Sequence, residues 1–348
     1  MGGITPLSCP RRGFWRAHRL DLVFPTERPR RLRRTAALRQ LVAETTLAPD
    51  DLVAPLFVAE ALSAPKPILS LPGHFQHTLD SLSSEVARLH RAGVGGVILF
   101  GVPESKDEHG SGAFDPNGIA QVALRRLRDE YGDELVVMAD LCLDEYTSHG
   151  HCGVLRADGS VDNDATLDLY ARTAVAQAHA GAAVVAPSGM MDGQVGAIRR
   201  ALDDSGFTET VIMAYAAKYA SGLYGPFREA VGVEIAGGGN RRGYQQDYRN
   251  RRESWREARL DVEEGADIIM VKPAMTYLDV VADLAEQLDV PISAYHVSGE
   301  YAMVKAASEN GWIDGSAVAL EQLTAIRRAG ADFILTYFAG EIAETLNS

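Results

Sequence analysis

The chain has 348 residues, 46% of them hydrophobic, with 34 basic against 47 acidic side chains and a formal net charge of −13. No apolar run approaches the roughly 18 residues that a membrane span needs, and the acidic balance argues against nucleic acid as the main partner. Cys9, Cys142 and Cys152 are too few for a disulfide framework and suit a reducing cytoplasm.

Residues 1–40 depart from that balance. They hold ten arginines and only Asp21 and Glu27 as acids, so the segment is strongly basic and the remainder more acidic than the total. It lacks the apolar core of a secretory signal, and Pro6, Pro10, Pro25 and Pro29 interrupt any long amphipathic helix. It reads as a basic N-terminal arm, disordered over its first ~27 residues, that lies across an acidic neighbouring subunit.

From residue 51 short apolar runs alternate with amphipathic segments. The runs are Leu52–Ala59, Val94–Phe100, Leu135–Leu141, Ala182–Pro187, Val211–Ala217, Ile268–Val271, Ile292–Val297 and Phe333–Phe338. Helical patterns fall at about 79–92, 116–131, 164–180, 191–205, 254–265, 275–289, 299–310 and 316–329. Gly93, Gly181, Gly265 and Gly330 each stand between a helical pattern and the next run, where a left-handed cap belongs. Eight strand–helix units predict a single (β/α)₈ barrel over residues 41–348, rather than an open sheet. Chemistry in such a barrel gathers at the C-terminal strand ends.

The third run ends in Asp140-Leu141-Cys142-Leu143-Asp144, and Cys152 returns after a loop that contains His149, Gly150 and His151. Strand alternation puts Asp140, Cys142 and Asp144 on one face. Cys142, Asp144 and Cys152 form a three-ligand set with an open position, the pattern of a catalytic metal site. The carboxylate makes the set harder than three thiolates would be. His149 and His151 read as supports for the loop. Ser188 ends the fourth run, and Met190 and Met191 after it read as helix core.

The fifth run ends in Lys218 and the sixth in Lys272, which Pro273 follows. Two ammonium groups at one site lower each other's pKa, and a desolvated neutral lysine is a nucleophile toward carbonyls. After Lys218 comes a loop of about 35 residues, far longer than an ordinary βα connection, which predicts a lid at about 219–247. Gly237–Gly239 offers a hinge, Tyr224 and Phe227 can exclude water, and Arg228, Arg241 and Arg242 can grip carboxylates. Ser298 ends the seventh run and Tyr337 lies near the end of the eighth. No glycine pattern of diagnostic spacing for a nucleotide appears, so no organic cofactor is expected.

Together the stretches Met138–Val154, Ala186–Val195, Met213–Ala230, Asn240–Gln245, Gly265–Val281, Ala294–Met303 and Leu335–Ala339 closely resemble the porphobilinogen synthase (5-aminolevulinate dehydratase) family, bacterial type. The resemblance runs from about residue 28 to the C-terminus. It implies a lyase of haem and tetrapyrrole biosynthesis that condenses two 5-aminolevulinate molecules into porphobilinogen. It makes Lys272 the Schiff-base residue for the first substrate and Lys218 the residue of the second site. Ser298 and Tyr337 would grip the first carboxylate, and Arg228, Arg241 and Gln245 the second. Asp140 and Ser188 would stand near the reacting amine, beneath Tyr224 and Phe227. Zinc is implied at Cys142, Asp144 and Cys152, and an allosteric magnesium at Glu257. A cytoplasmic homo-octamer joined through N-terminal arms is implied too. Two positions depart from the pattern: Asp144 stands where zinc-type members carry a third Cys, and Gly189 where many relatives carry an acid. The rival readings are a class I Schiff-base aldolase, which would need one Lys and would not account for the Cys-Asp-Cys loop, and a non-catalytic metal-binding barrel, which should have lost some of the two lysines, the lid arginines or the metal ligands.

Overall fold

The computed structural model describes residues 27–236 and 239–348. The expectations for residues 1–26, including Cys9 and most of the arm, and for Gly237 and Gly238 of the hinge fall outside the described residues. The chain divides after Glu44. In the first unit a 3-10 turn, Pro29–Arg33, precedes α1 (Ala36–Leu41), whose start is capped by the Thr35 hydroxyl accepting from the Leu38 amide at 3.1 Å.

The second unit, Thr45–Ser348, contains the barrel. Its strands are β1 (Leu52–Ala59), β2 (Gly96–Val102), β3 (Val136–Leu141), β4 (Val184–Pro187), β5 (Val211–Lys218), β6 (Ile268–Lys272), β7 (Ile292–His296) and β8 (Phe333–Thr336). Each pairs in parallel with the next, and β8 returns to β1 through Leu52↔Ile334 and Val53↔Leu335, closing the ring. The strands are apolar on both faces because the barrel core lies inside and the helices outside; all eight residues of β1 are buried.

The surrounding helices are α2 (Leu79–Arg91), α3 (Ile119–Tyr131), α4 (Asn163–His179), α5 (Gln194–Asp204), α6 (Gly225–Val231), α7 (Arg252–Glu264), α8 (Leu278–Gln287), α9 (Ser298–Glu309), α10 (Gly315–Ala329) and α11 (Ala339–Leu346). The expected glycine caps are present: Gly93, Gly181, Gly265 and Gly330 all have positive φ. Helix α6 has no counterpart among the predicted helices, because its stretch reads as part of the long loop, and two further elements of this unit have none either. One is a small antiparallel hairpin, Lys66–Pro67 with Phe75–His77, whose second strand lies along β1. Strands of two and three residues are too short to show a period. The other is α11, which follows the end of β8 so closely that the apolar run merges with it.

The long β5–α7 connection folds back over the barrel mouth. Its base is tied to the lysines' own backbone: the Tyr219 amide donates to the Lys272 carbonyl at 2.9 Å and the Gln246 amide to the Lys218 carbonyl at 3.0 Å. Its tip, α6, is held from two sides. The Leu69 amide donates to Glu229 Oε1 at 3.1 Å and Gln76 Nε2 to the Ala230 carbonyl at 2.7 Å. At the start of α9, Ser298 Oγ donates to the Leu223 carbonyl at 3.2 Å and accepts from the Phe227 amide at 3.1 Å. The next residue has to be glycine, since a Cβ on Gly299 would lie 2.5 Å from the Leu223 carbonyl oxygen. Gly299→Ala should therefore lift the 222–231 segment off α9 at a cost of about 1–3 kcal/mol. Faster limited proteolysis within 219–231 than in the parent chain, with the far-ultraviolet spectrum preserved, is the expected outcome.

Candidate active site

The C-terminal ends of β3 to β6 open into a cavity of about 800 Å³. Asp140, Asp144, Glu145, Ser188, Lys218 and Lys272 line its floor, and Tyr224, Phe227, Arg228, Arg241 and Gln245 reach it from the connection above. Lys218 and Lys272 are direct cross-strand partners at the ends of β5 and β6, after an irregularity in β5 between Ala214 and Ala217. The Lys272–Pro273 peptide is cis. Both lysine side chains are buried.

Lys218 Nζ donates to the Ser188 carbonyl. Four aromatic rings surround Lys272 Nζ, with centroids at 4.3 Å (Tyr295), 5.1 Å (Tyr215), 5.2 Å (Phe227) and 5.3 Å (Tyr224). Burial, and after it the Lys218 ammonium, pull the Lys272 amine from 10.5 down to about 7, against the raising effect of Asp140. A large share of this amine is therefore neutral at physiological pH, while ring faces stand ready for a cation on the same nitrogen. Asp140 is pushed up to about 6 by burial, with the two lysines acting in the opposite sense. Its Oδ2 accepts from Ser188 Oγ at 3.2 Å, and its Oδ1 is buried with no partner among the described residues.

At Asp144 the cavity meets a second cluster: the Cys142 and Cys152 sulfurs and a carboxylate oxygen of Asp144 all lie within 4.8 Å of one another. Both thiols are free and buried. The donor chemistry and spacing fit a cation with three protein ligands. Burial works to raise the Cys152 thiol, but the neighbouring Cys142 and the Arg241 guanidinium bring it below its ordinary value. Burial raises Cys142. The histidines support the loop as expected. His149 Nε2 donates to the Glu108 carbonyl at 3.2 Å, and His149 Nδ1 accepts from the His151 amide at 3.1 Å.

On the covering segment, Arg241 Nη2 donates to Asp144 Oδ2 at 2.7 Å and to the Gly150 carbonyl at 2.9 Å. Arg241 Nε and Gln245 Nε2 are buried and have no partner among the described residues. The Arg228 guanidinium is held below its ordinary value by burial and by Arg241. Arg228, Arg241 and Gln245 all line the cavity, a donor set suited to a carboxylate. Tyr224 lends its hydroxyl to the Tyr219 carbonyl at 2.7 Å, and Phe227 packs edge-on against Phe100.

Ser298 and Tyr337 do not line this cavity. Ser298 is engaged with the covering segment, and the Tyr337 hydroxyl stands 3.2 Å from that of Tyr295. Glu257 is elsewhere too, half-buried on α7 beside a second, polar cavity of about 480 Å³ that it shares with Asp192 and Glu253.

Several residues of the site carry no signal that the motif reading used. Tyr215 and Tyr295 look like core aromatics of barrel strands. Glu145, buried with no partner for Oε1 among the described residues, looks like part of an acidic loop. Glu300 accepts from the Val297 amide at 2.7 Å and the Met275 amide at 2.8 Å, fixing the turn after Lys272. A buried carboxylate on two backbone amides is invisible to spacing alone.

Residues 26–345 match the family model described as delta-aminolevulinic acid dehydratase. The chain is 59% identical over 325 residues to a delta-aminolevulinic acid dehydratase of Streptomyces coelicolor, covering 93% of this chain and 98% of that one. It is 58% identical over 322 residues to one of Mycobacterium tuberculosis, covering 92% and 97%. A crystal structure of the delta-aminolevulinic acid dehydratase (porphobilinogen synthase) of Toxoplasma gondii, in complex with the reaction product porphobilinogen, superposes with a TM-score of 0.89 at 44% identity over 91% of each chain.

The amine chemistry gives a direct pH test. As pH rises through about 7 the Lys272 amine loses its proton, so its labelling by an amine-selective reagent should rise with a midpoint near that value. Lys218→Met removes one cause of the depression, and the midpoint should then move upward. Peptide mass spectrometry across a pH series reads both.

Proposed function

The chain belongs to the delta-aminolevulinic acid dehydratase family, and on that premise we propose that it condenses two molecules of 5-aminolevulinate into porphobilinogen with loss of water. The observation that carries this reading is the cross-strand pair Lys218↔Lys272 at the floor of a cavity whose cover supplies arginines and an amide. A one-lysine aldolase would leave Lys218 and both buried thiols without a use. An inert barrel would have no reason to keep two amines out of water, where each buried charge costs several kcal/mol.

In this reading the neutral Lys272 amine attacks the ketone of the first substrate and water leaves, giving an iminium. The rings of Tyr215, Tyr295, Tyr224 and Phe227 face that cation, and it draws electrons from the adjacent carbon so that a proton there can be removed. Lys218 holds the second substrate through its own imine. Asp140, close to both amines in charge and pushed up to about 6, holds or releases a proton beside them, with Ser188 donating to it. Arg228, Arg241 and Gln245 bind the second carboxylate. Ser298 and Tyr337 are assigned to the first, which takes over the Ser298 hydroxyl from the Leu223 and Phe227 backbone as it binds. Tyr224 and Phe227 exclude water.

Cys142, Asp144 and Cys152 would hold a zinc ion, which when bound polarises and orients the second substrate. Glu257, with Asp192 and Glu253 near it, is the proposed magnesium position; burial, and then Asp192 and Glu253, raise its carboxyl. No organic cofactor is proposed. Residues 1–40 serve as the arm of a cytoplasmic homo-octamer, and residues 41–348 as the catalytic barrel with its lid at 219–247. Among the described residues no helix is long and apolar enough to cross a membrane.

Purified protein incubated with 5-aminolevulinate should yield porphobilinogen, detected by mass and by its pyrrole chromophore. Lys272→Met should lower the rate by three orders of magnitude or more, on the order of what loss of a covalent nucleophile costs. A chelator should suppress pyrrole formation and added zinc restore it. Absence of pyrrole from folded, zinc-supplied protein would contradict the assignment.

A further inference from the structure

Asp144 is where the thiol cluster and the covering segment meet. Its Oδ2 accepts from Arg241 Nη2 at 2.7 Å, and only 4% and 10% of the two side chains are exposed. The same Nη2 reaches the Gly150 carbonyl of the loop that carries Cys152. A second contact from this segment lands on the same loop: the Tyr244 hydroxyl accepts from the Cys152 amide at 3.4 Å and stands 3.3 Å from His151 Nδ1. Arg241 also starts a local turn, since the Tyr244 and Gln245 amides donate to its carbonyl at 3.2 and 2.9 Å. Fixing Arg241 therefore fixes Gln245. The donors left over, Arg241 Nε and Gln245 Nε2, are buried and have no partner among the described residues.

A carboxylate has two oxygens and can serve two partners, whereas a thiolate offers one soft atom and accepts hydrogen bonds weakly. Asp144 can thus place one oxygen in the ligand set and keep the other on the guanidinium.

We propose that Asp144 is the positioning residue for Arg241, holding the arginine and the turn behind it against the Cys142/Cys152 loop so that Arg241 and Gln245 stay in the cavity lining. The metal-ligand set and the anion grip of the lid then share one side chain. This rests on reading 219–247 as a lid over an anionic substrate, and the first arm of its test is independent of turnover.

Asp144→Cys keeps a metal-binding side chain and removes the anchor; Asp144→Asn keeps the shape and removes the charge. Arg241→Gln removes the other end. Hydrogen–deuterium exchange is followed in excess EDTA, without substrate, so neither metal nor catalysis enters. All three variants should exchange about tenfold faster at the amides of 244–246, the effect of losing one charge-assisted hydrogen bond, with β1 to β8 unchanged. Asp144→Glu should recover part of the protection. With zinc restored, Asp144→Cys should raise KM for 5-aminolevulinate more than it lowers kcat. Unchanged exchange at 244–246 in folded Asp144→Asn and Asp144→Cys overturns the proposal whether or not the protein makes porphobilinogen. Faster exchange with no change in KM in an active enzyme overturns the part that concerns substrate.

Discussion

Two amines buried at one cross-strand pair impose conditions on everything around them. Each ammonium disfavours the other, and the apolar barrel disfavours both, so at least one has to give up its proton or find compensation. The structure supplies both remedies. The Lys272 nitrogen sits among four ring faces and is lowered to about 7. Lys218 donates to the Ser188 carbonyl, and Asp140 lies within electrostatic reach of each. The segment that covers the cavity is then tied to the same two residues, because their backbone carbonyls accept from Tyr219 and Gln246. Nucleophile, charge balance and cover are thus one construction.

Much of this was legible in the sequence, for identifiable reasons. Barrel strands are apolar on both faces and end abruptly in polar residues, so Lys218 and Lys272 stood out as ammonium groups at the ends of apolar runs. Glycine caps marked helix ends because only glycine enters the left-handed region at little cost. The length of the loop after Lys218 announced a cover. What stayed hidden depends on tertiary contact: the ring cage, since Tyr215 and Tyr295 read as core; the Glu300 clasp; and the ion pair between Asp144 and Arg241, residues 97 apart in the chain. Ser298 and Tyr337 illustrate the converse. Their motif was readable, and the structure engages Ser298 with the backbone of the cavity-lining Leu223 and Phe227, and Tyr337 with Tyr295, whose ring faces Lys272 Nζ.

The departure at Gly189 has a packing explanation. A Cβ there would lie 1.6 Å from the Tyr170 hydroxyl oxygen. That hydroxyl donates to the Cys152 carbonyl at 2.7 Å and lies 3.7 Å from the Cys142 sulfur. The tyrosine fills the volume that a side chain at 189 would need and uses it to brace both thiols. Asp144 follows a similar logic, serving the thiol cluster and the lid at once. Tyr170, in the space a side chain at 189 would need, and Arg241, through Asp144 and Gly150, thus both hold the loop that carries Cys152.

The most direct measurement is borohydride trapping in the presence of 5-aminolevulinate, followed by peptide mass mapping. Imine chemistry at the buried pair predicts a reduced substrate adduct on Lys272, formed by the wild-type chain and lost in Lys272→Met. Folded protein that gives no adduct on Lys272 or Lys218 would contradict the account, however closely the fold follows its relatives.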